Sequence, residues 1–530
     1  MRLYAPKKGL TIRPVSILFS IYVAIVLLIA PDTAISQTPS KNHPKSTRTL
    51  TLRQVLESTL LLSPEILIEE EQQAVVLGNF LTEFGLFDTI FNWDISALQD
   101  YNPLQAYNPL GLSQETIPGI TSLNTDSGQF NIGLNKTYYN GINVGTSVNM
   151  TRQQTNMNKA LNVPIENRSF INFTLNVPFL QGSAIGLTAK ADYLNYLAER
   201  YTYAHTISKQ ALSSIIAYWA YEESYQSFNV VAKAVAQDKQ LVQVIKEMVK
   251  RGEQTQSDLT LAKANYEGRL ALYYTFREQY FINKQRLATL MGIKTEAINL
   301  LPPPSTNFAK MRSMNFTQGA LAQFFKNMML YRNDLKAAFM TMKSNFTLLK
   351  VQRVNLDPQF NGNASVGYRG LYEGTETTRS LSENTKGPVA SVGLTYSFPI
   401  ENNTARGNLM SQSAVYAQSK INYNNLLRTI KISLITAFNS VKLFGYQTTY
   451  SKNAIGNYSE TLNNEIIKLK LGEASLIDTL RIKDLLVQSQ LDKIRAESGY
   501  SQALAQLYYE QGLFICHDHM HCRINLKPIS

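Results

Sequence analysis

The feature that most constrains this 530-residue chain is a pair of short turns: Lys250 Arg251 Gly252 Glu253 Gln254 Thr255 Gln256 Ser257 Asp258 Leu259, and Lys470 Leu471 Gly472 Glu473 Ala474 Ser475 Leu476 Ile477 Asp478 Thr479. Lys, Gly, Glu and Asp stay in register at an offset of 220 residues, and each turn sits between long helical stretches. From Leu187 to Arg251 there is neither Gly nor Pro, the residues that cost a helix interior ~1 and ~3 kcal/mol. A helix of ~65 residues extends ~100 Å. Gly252 fits the C-terminal position that wants φ > 0. Ser257 and Asp258 can cap the next helix and place negative charge at its start. After Pro399 no proline recurs until Pro528, with Gly472 interrupting and Ser475 and Asp478 restarting. Two long antiparallel helical pairs are expected, each folded over a similar tip.

At the start of the chain, residues 1–34 read as a secretory signal peptide. Arg2, Lys7, Lys8 and Arg13 form the basic region and Val15 to Ala30 the apolar one, with small residues near Ala34. An uncleaved anchor helix is the alternative, but the apolar run falls short of the ~20 residues needed to span a bilayer. Residues 35–49, rich in Pro, Ser, Thr and Lys, read as a flexible N-terminus.

The composition, 44% hydrophobic and 17% charged, is ordinary for a folded chain. The formal charge of +12 includes the four basic residues of the signal, and the remaining Lys and Arg are interleaved with acids along helices. They read as solvated faces and form no nucleic-acid patch. With only Cys516 and Cys522 present, disulfides do not build the fold.

Leu50 to Leu62 reads as an amphipathic helix, and Ser63 and Pro64 start a second that runs over Glu65 to Phe87. Apolar and polar residues then alternate at Phe91 to Ala97, Phe130 to Leu134, Ile142 to Met150, Phe170 to Phe179, Phe360 to Tyr368 and Val389 to Phe398. This is the period-2 signature of strands with one apolar and one polar face. A secreted chain can carry such strands into a bilayer only as a closed barrel. A soluble sandwich would use the same alternation to bury a core. Six strands are few for a sizeable sandwich and need other copies to close.

The repetition extends beyond the tips. Phe91 Asn92 corresponds to Phe360 Asn361, offset by 269 residues, and Gly292 corresponds to Gly512, offset by 220. The first half therefore carries ~49 extra residues between Gln99 and Ser169, including a hairpin signal at Tyr139 Asn140 Gly141. The sequence leaves open whether that extra hairpin joins the barrel or decorates it. The organisation read from this is a first repeat over residues 50–293 and a Pro-rich linker over 294–310, with Pro302 Pro303 Pro304. A second repeat follows over 311–514, and a tail over 515–530.

The order of elements, the duplication and the paired tip motif, Gly followed six residues later by Asp, resemble the TolC-like outer-membrane efflux family from about Leu50 to Phe514. The resemblance implies a mostly α fold with a membrane β-barrel. A homotrimer would combine a twelve-stranded β-barrel, four strands from each copy, with a long periplasmic α-helical barrel, built from two internal repeats. It implies an outer-membrane channel of a tripartite efflux or type I secretion system. The partners would be a periplasmic adaptor (membrane fusion) protein, an inner-membrane pump and outer-membrane lipid. Gly252 and Gly472 would form the adaptor-docking tip. Asp258, Asp478 and Arg481 would stand at the periplasmic aperture, Arg481 replacing an acid of the family pattern. A helix-capping role for Asp258 and Asp478 remains an alternative.

No nucleotide-binding loop, zinc-protease helix or nucleophile elbow occurs, so the chain is read as a non-enzyme without a cofactor. The tail gathers Cys516, His517, Asp518, His519, Met520, His521 and Cys522. Cys516, His517, His519, His521 and Cys522 suit a soft or borderline metal ion, while the two cysteines suit a small disulfide loop equally. The competing class is a secreted trimeric coiled-coil scaffold or adhesin, which would show sustained heptads and no lipid-facing aromatics.

Overall fold

The computed structural model describes residues 49–103, 122–305, 308–311, 318–382, 386–471, 473–518 and 521–524. The signal-peptide assignment lies outside them. Proline-free sequence becomes helix where expected: α4 spans Ser183–Lys250 and α8 spans Asn403–Lys470, with 68 residues each. Their returning partners α5, Gln256–Leu290, and α9, Leu476–Glu510, have 35 residues each. All four boundaries recur at an offset of 220 residues. Helices of 68 residues reach ~100 Å.

Shorter helices flank the long ones. They are α1 (Leu52–Leu62), α2 (Pro64–Phe84), α3 (Asn156–Ala160), α6 (Gln318–Tyr331) and α7 (Asn333–Val354). Thr51 closes a capping box with Gln54 at the start of α1. The α1 expectation starts too early by two residues, because Leu50 pairs with the proline linker instead. Its N–H donates to the Pro303 carbonyl at 2.8 Å, and Ser305 donates back to Leu50 at 2.9 Å. Likewise α2 ends at Phe84, and Gly85–Phe87 continue as a 3-10 turn. Ser63 occupies the N-cap of α2, but its hydroxyl bonds the Glu65 carboxylate at 2.8 Å and caps no backbone N–H.

Six strands, longer than the alternation alone delimits, form one antiparallel sheet in the order β1-β2-β3-β4-β5-β6. They span Thr89–Pro103, Ser122–Thr137, Asn143–Thr155, Glu166–Pro178, Gln359–Glu373 and Lys386–Ser397. The extra hairpin, β2 and β3, lies inside the sheet between β1 and β4, so it does not decorate it. Its turn is the expected Asn-Gly: Gly141 has φ +81° and donates to the Tyr138 carbonyl at 2.8 Å. A side chain on Gly141 would collide with Gly182 and Pro178, and Tyr139 stacks on Phe87 at 4.3 Å. The turn is thereby seated on the helical body. Two further short strands, β7 (Ile515–Asp518) and β8 (His521–Ile524), pair with each other.

The main core collects Val55, Leu56, Leu212, Ile215, Tyr218, Trp219, Tyr221, Leu287 and Phe514, joining α1, α4 and α5 to the end of α9. Along the long helix pairs Leu212, Ile215, Trp219, Ile245, Met248, Leu476, Leu480, Leu504 and Leu507 are buried at helical spacing. Val244 and Ile477 are exposed instead and border surface cavities. The small residue Ala234 is buried between helices, while a side chain on Gly268 would meet open space.

Candidate functional site

At the first tip, α4 ends in a Schellman turn. Gly252 takes φ +80° and donates to Val249 at 3.0 Å, and Glu253 donates to the Met248 carbonyl at 2.9 Å. The second tip repeats the closure, Glu473 donating to the Lys468 carbonyl at 2.9 Å. Gly472 itself lies outside the described residues. A Cβ on Gly252 would touch nothing within 4 Å, so glycine is required there by the backbone, not by crowding within the chain.

The cap of α5 differs from the sequence expectation. Thr255, not Ser257, is the N-cap, because the Schellman turn is complete at Glu253 and Thr255 already adopts an extended backbone. Asp258 accepts from the Thr255 N–H at 3.0 Å and from its hydroxyl at 2.6 Å, while Thr255 Oγ1 accepts from the Asp258 N–H at 3.2 Å. The Asp258 carboxylate is thus engaged by its own helix start. At the second tip Ser475 is the N-cap, accepting from the Ile477 N–H at 3.2 Å, and Asp478 lies in the first turn of α9.

The two tips share one apolar cluster: Ile245, Met248, Leu259 and Ala262 from the first, Leu469, Leu476 and Leu480 from the second. A cavity of about 450 Å³ runs between them, lined by Val244, Glu247, Arg251, Glu253 and Lys470. Arg481 faces a second cavity, of about 810 Å³, bordered by Asn265, Arg269, Asp484 and Arg495. Within one chain Arg481 and Asp478 form no ion pair with each other among the described residues.

Above the tips lies a charge cluster that a reading of lysines and arginines as solvated faces misses. Asp238 on α4 accepts from Lys483 on α9 at 2.5 Å and from Arg269 on α5 at 3.3 Å, and Arg269 reaches on to Asp484. Asp238, Arg269 and Lys483 are all buried. The available signal is the spacing Val231, Ala234, Asp238, Ile245, which sets an acid on the buried stripe of α4. A second buried cluster, Arg332 with Asp334 at 2.7 Å and Glu510 at 2.6 Å, joins α7 to α9. Burial raises the Glu510 pKa against the pull of Arg332. For Asp334 burial acts in the same sense, but the Arg332 hydrogen bond and charge outweigh it and the net shift is downward.

At the other end of the molecule the strand register sorts the sheet into an apolar face and a mainly polar one. One face reads Trp93, Ile132, Val148, Ile171, Tyr368 and Pro388 across the six strands, each residue opposite the next. The adjacent row is Phe91, Leu134, Thr146, Phe173, Val366 and Ala390. The opposite face carries Asn92, Gly133, Ser147, Asn172 and Gly367, ending on Val389, beside the row Ile90, Asn135, Gly145, Thr174, Ser365 and Ser391, so that it is mainly polar. The apolar face is uncovered: Trp93 is 65% exposed, Val366 63% and Val392 85%. No described helix is long and apolar enough to cross a membrane.

The tail strands set His517 opposite Cys522 and Asp518 opposite His521 along the backbone. His519 and the side chains of Cys516, His517, His521 and Cys522 lie outside the described residues.

No model of a known protein family matches the sequence, and no curated protein does. Solved structures do. The CmeC outer-membrane channel of Campylobacter jejuni superposes with a TM-score of 0.64 at 14% identity, over 87% of this chain and 85% of that one. VceC, an outer-membrane protein of Vibrio cholerae, gives 0.63 at 14% identity, over 87% and 96%. The open state of the MtrE outer-membrane channel of Neisseria gonorrhoeae gives 0.61 at 12% identity, over 87% and 88%. At such identities the likeness is one of fold: this mostly helical chain with its six-stranded antiparallel sheet resembles the TolC-like outer-membrane channels in structure over 87% of its length.

Proposed function

We propose that this protein is the outer-membrane channel of a tripartite efflux or type I secretion system. Three copies close one water-filled conduit, strands in the outer membrane and long helices in the periplasm. The observation that carries this reading is the continuous uncovered apolar face that runs across all six strands, backed by a mainly polar face. Facing hydrocarbon, the first needs no protein cover. Facing water, the second lines a passage. The two helical repeats, each ending in a tip with the same closure, supply the periplasmic staves.

At the tips, Gly252 and Gly472 offer an adaptor an approach free of side chains, and the adaptor bridges to an inner-membrane pump that supplies energy and selects substrate. Asp478 and Arg481 stand at the aperture, pairing between copies; Asp258 serves chiefly as a helix cap. The tail residues Cys516, His517, His519, His521 and Cys522 bind a soft metal ion or close a disulfide loop.

Purification of the mature protein tests the reading. A detergent-dependent trimer that opens conductance steps in planar bilayers is expected, and Arg481→Ala should enlarge those steps. A monomer freely soluble without detergent would overturn the channel.

A further inference from the structure

Resting on the trimeric channel proposed above, we infer that all six strands of each copy stand in the membrane wall. β1 of one copy pairs with β6 of the next, so eighteen strands enclose the pore instead of the family's twelve. The interaction surface is the pair of free sheet edges, and its partner is a second copy of this chain.

Among the described residues of one chain β1 pairs only with β2, and β6 only with β5. Every residue of β1 is exposed. Both strands carry the apolar face, so both lie at membrane depth, where unpaired N–H and C=O groups each cost several kcal/mol. Closure of the sheet on another copy removes both edges at once. The parity allows it: six alternating strands leave β1 and β6 running in opposite directions, so rotation about a common axis brings them together as an antiparallel pair.

The inserted hairpin belongs to the wall on two independent grounds. Ile132 on β2 and Val148 on β3 continue the apolar row from Trp93 to Ile171 without a break. Gly133 and Ser147 continue the polar row from Asn92 to Asn172 in the same way. A hairpin outside the bilayer would have no reason to keep that division. Its turn is also fixed against the start of α4, where side chains on Gly182 and Gly186 would strike the Asn140 and Tyr139 carbonyls.

The dimensions agree. Next to the sheet α2, α4, α7 and α8 pack as four neighbouring helices, which at ~10 Å apart cover ~40 Å of circumference per copy. Six strands ~4.8 Å apart and tilted ~40° cover ~38 Å, whereas four would cover ~25 Å. Six strands therefore continue the helical wall upward without narrowing it.

Disulfide cross-linking across the proposed seam tests this. In full-length protein with Cys516 and Cys522 replaced by Ser, Ala97→Cys on β1 is combined in turn with Ala390→Cys, Val392→Cys and Leu394→Cys on β6. Oxidation in membranes should convert most of the monomer band on denaturing gels to covalent trimer in at least one combination. Val148→Cys on β3, combined with the same β6 cysteines, should give none. Trimers in detergent that cross-link through Val148, or through no β1 and β6 combination, would overturn the eighteen strands and leave the channel standing. Absence of trimers in detergent would instead remove the trimeric reading itself.

Discussion

Asp238 and Lys483 are 245 residues apart in sequence and 2.5 Å apart in space, a buried ion pair that ties the first helical hairpin to the returning helix of the second. Arg269 closes on the same carboxylate from α5. Three helices thus meet on one acid beneath the surface.

Removal of that acid should be far more damaging than removal of its outer neighbour. Asp238→Ala leaves Lys483 and Arg269 buried without their shared counter-charge, a situation that costs ~3–5 kcal/mol. Asp484 has a side chain 49% exposed, and its loss should cost about 1 kcal/mol or less. Denaturant midpoints of the two variants in detergent, compared with the parent, check the ordering. Equal midpoints would mean that the buried cluster does not couple the helices.

Gly252 separates backbone need from docking. Its φ of +80° disfavours a β-branched residue by ~1–2 kcal/mol, while Asn tolerates that region. Gly252→Val should therefore loosen the tip, seen as faster amide exchange around Met248 to Asp258, and Gly252→Asn should not. If an adaptor lies against this glycine, both variants lose export with trimers intact. Export retained by Gly252→Asn alone would leave only the backbone requirement.

The difference between what the sequence discloses and what it hides follows from the range of the forces involved. The tips are legible because Gly252 and Asp258 act within one turn. The misplaced cap at Ser257 arises because Thr255 is identified only once the Glu253 N–H is known to bond Met248. Alternation locates every strand of the sheet, since the period is set by the pleat. It leaves open the place of the inserted hairpin, which depends on pairing β1 with β2 and β3 with β4. The Asp238 cluster is hidden for the same reason: its partners come from distant helices, and only an acid on an apolar stripe betrays it.

The two faces of β3 give opposite expectations for one and the same substitution. Val148→Arg places a charge on the face read as lipid-exposed, which costs ~2–4 kcal/mol near the bilayer midplane. Asn149→Arg, one residue on, places it on the polar face with Asn131 and should be tolerated. The yield of heat-modifiable trimer in outer-membrane fractions measures both. Equal yields would place β3 outside the bilayer.

Glu222 on α4 is fully buried, and Gln226 Nε2 donates to its Oε1 at 2.7 Å. Burial pushes its pKa up to about 7, against the weaker opposing effect of that hydrogen bond. A carboxyl held above its unfolded value binds its proton more tightly in the folded state. It costs nothing below the unfolded pKa of 4.5 and becomes progressively destabilising as pH rises toward 7. Glu222→Gln removes that penalty while keeping the shape of the side chain. Its thermal midpoint should match the parent's at pH 4.5 and exceed it at pH 8, by an amount equivalent to at most ~3 kcal/mol. A gain that is the same at both pH values would show that packing, not the proton, is responsible.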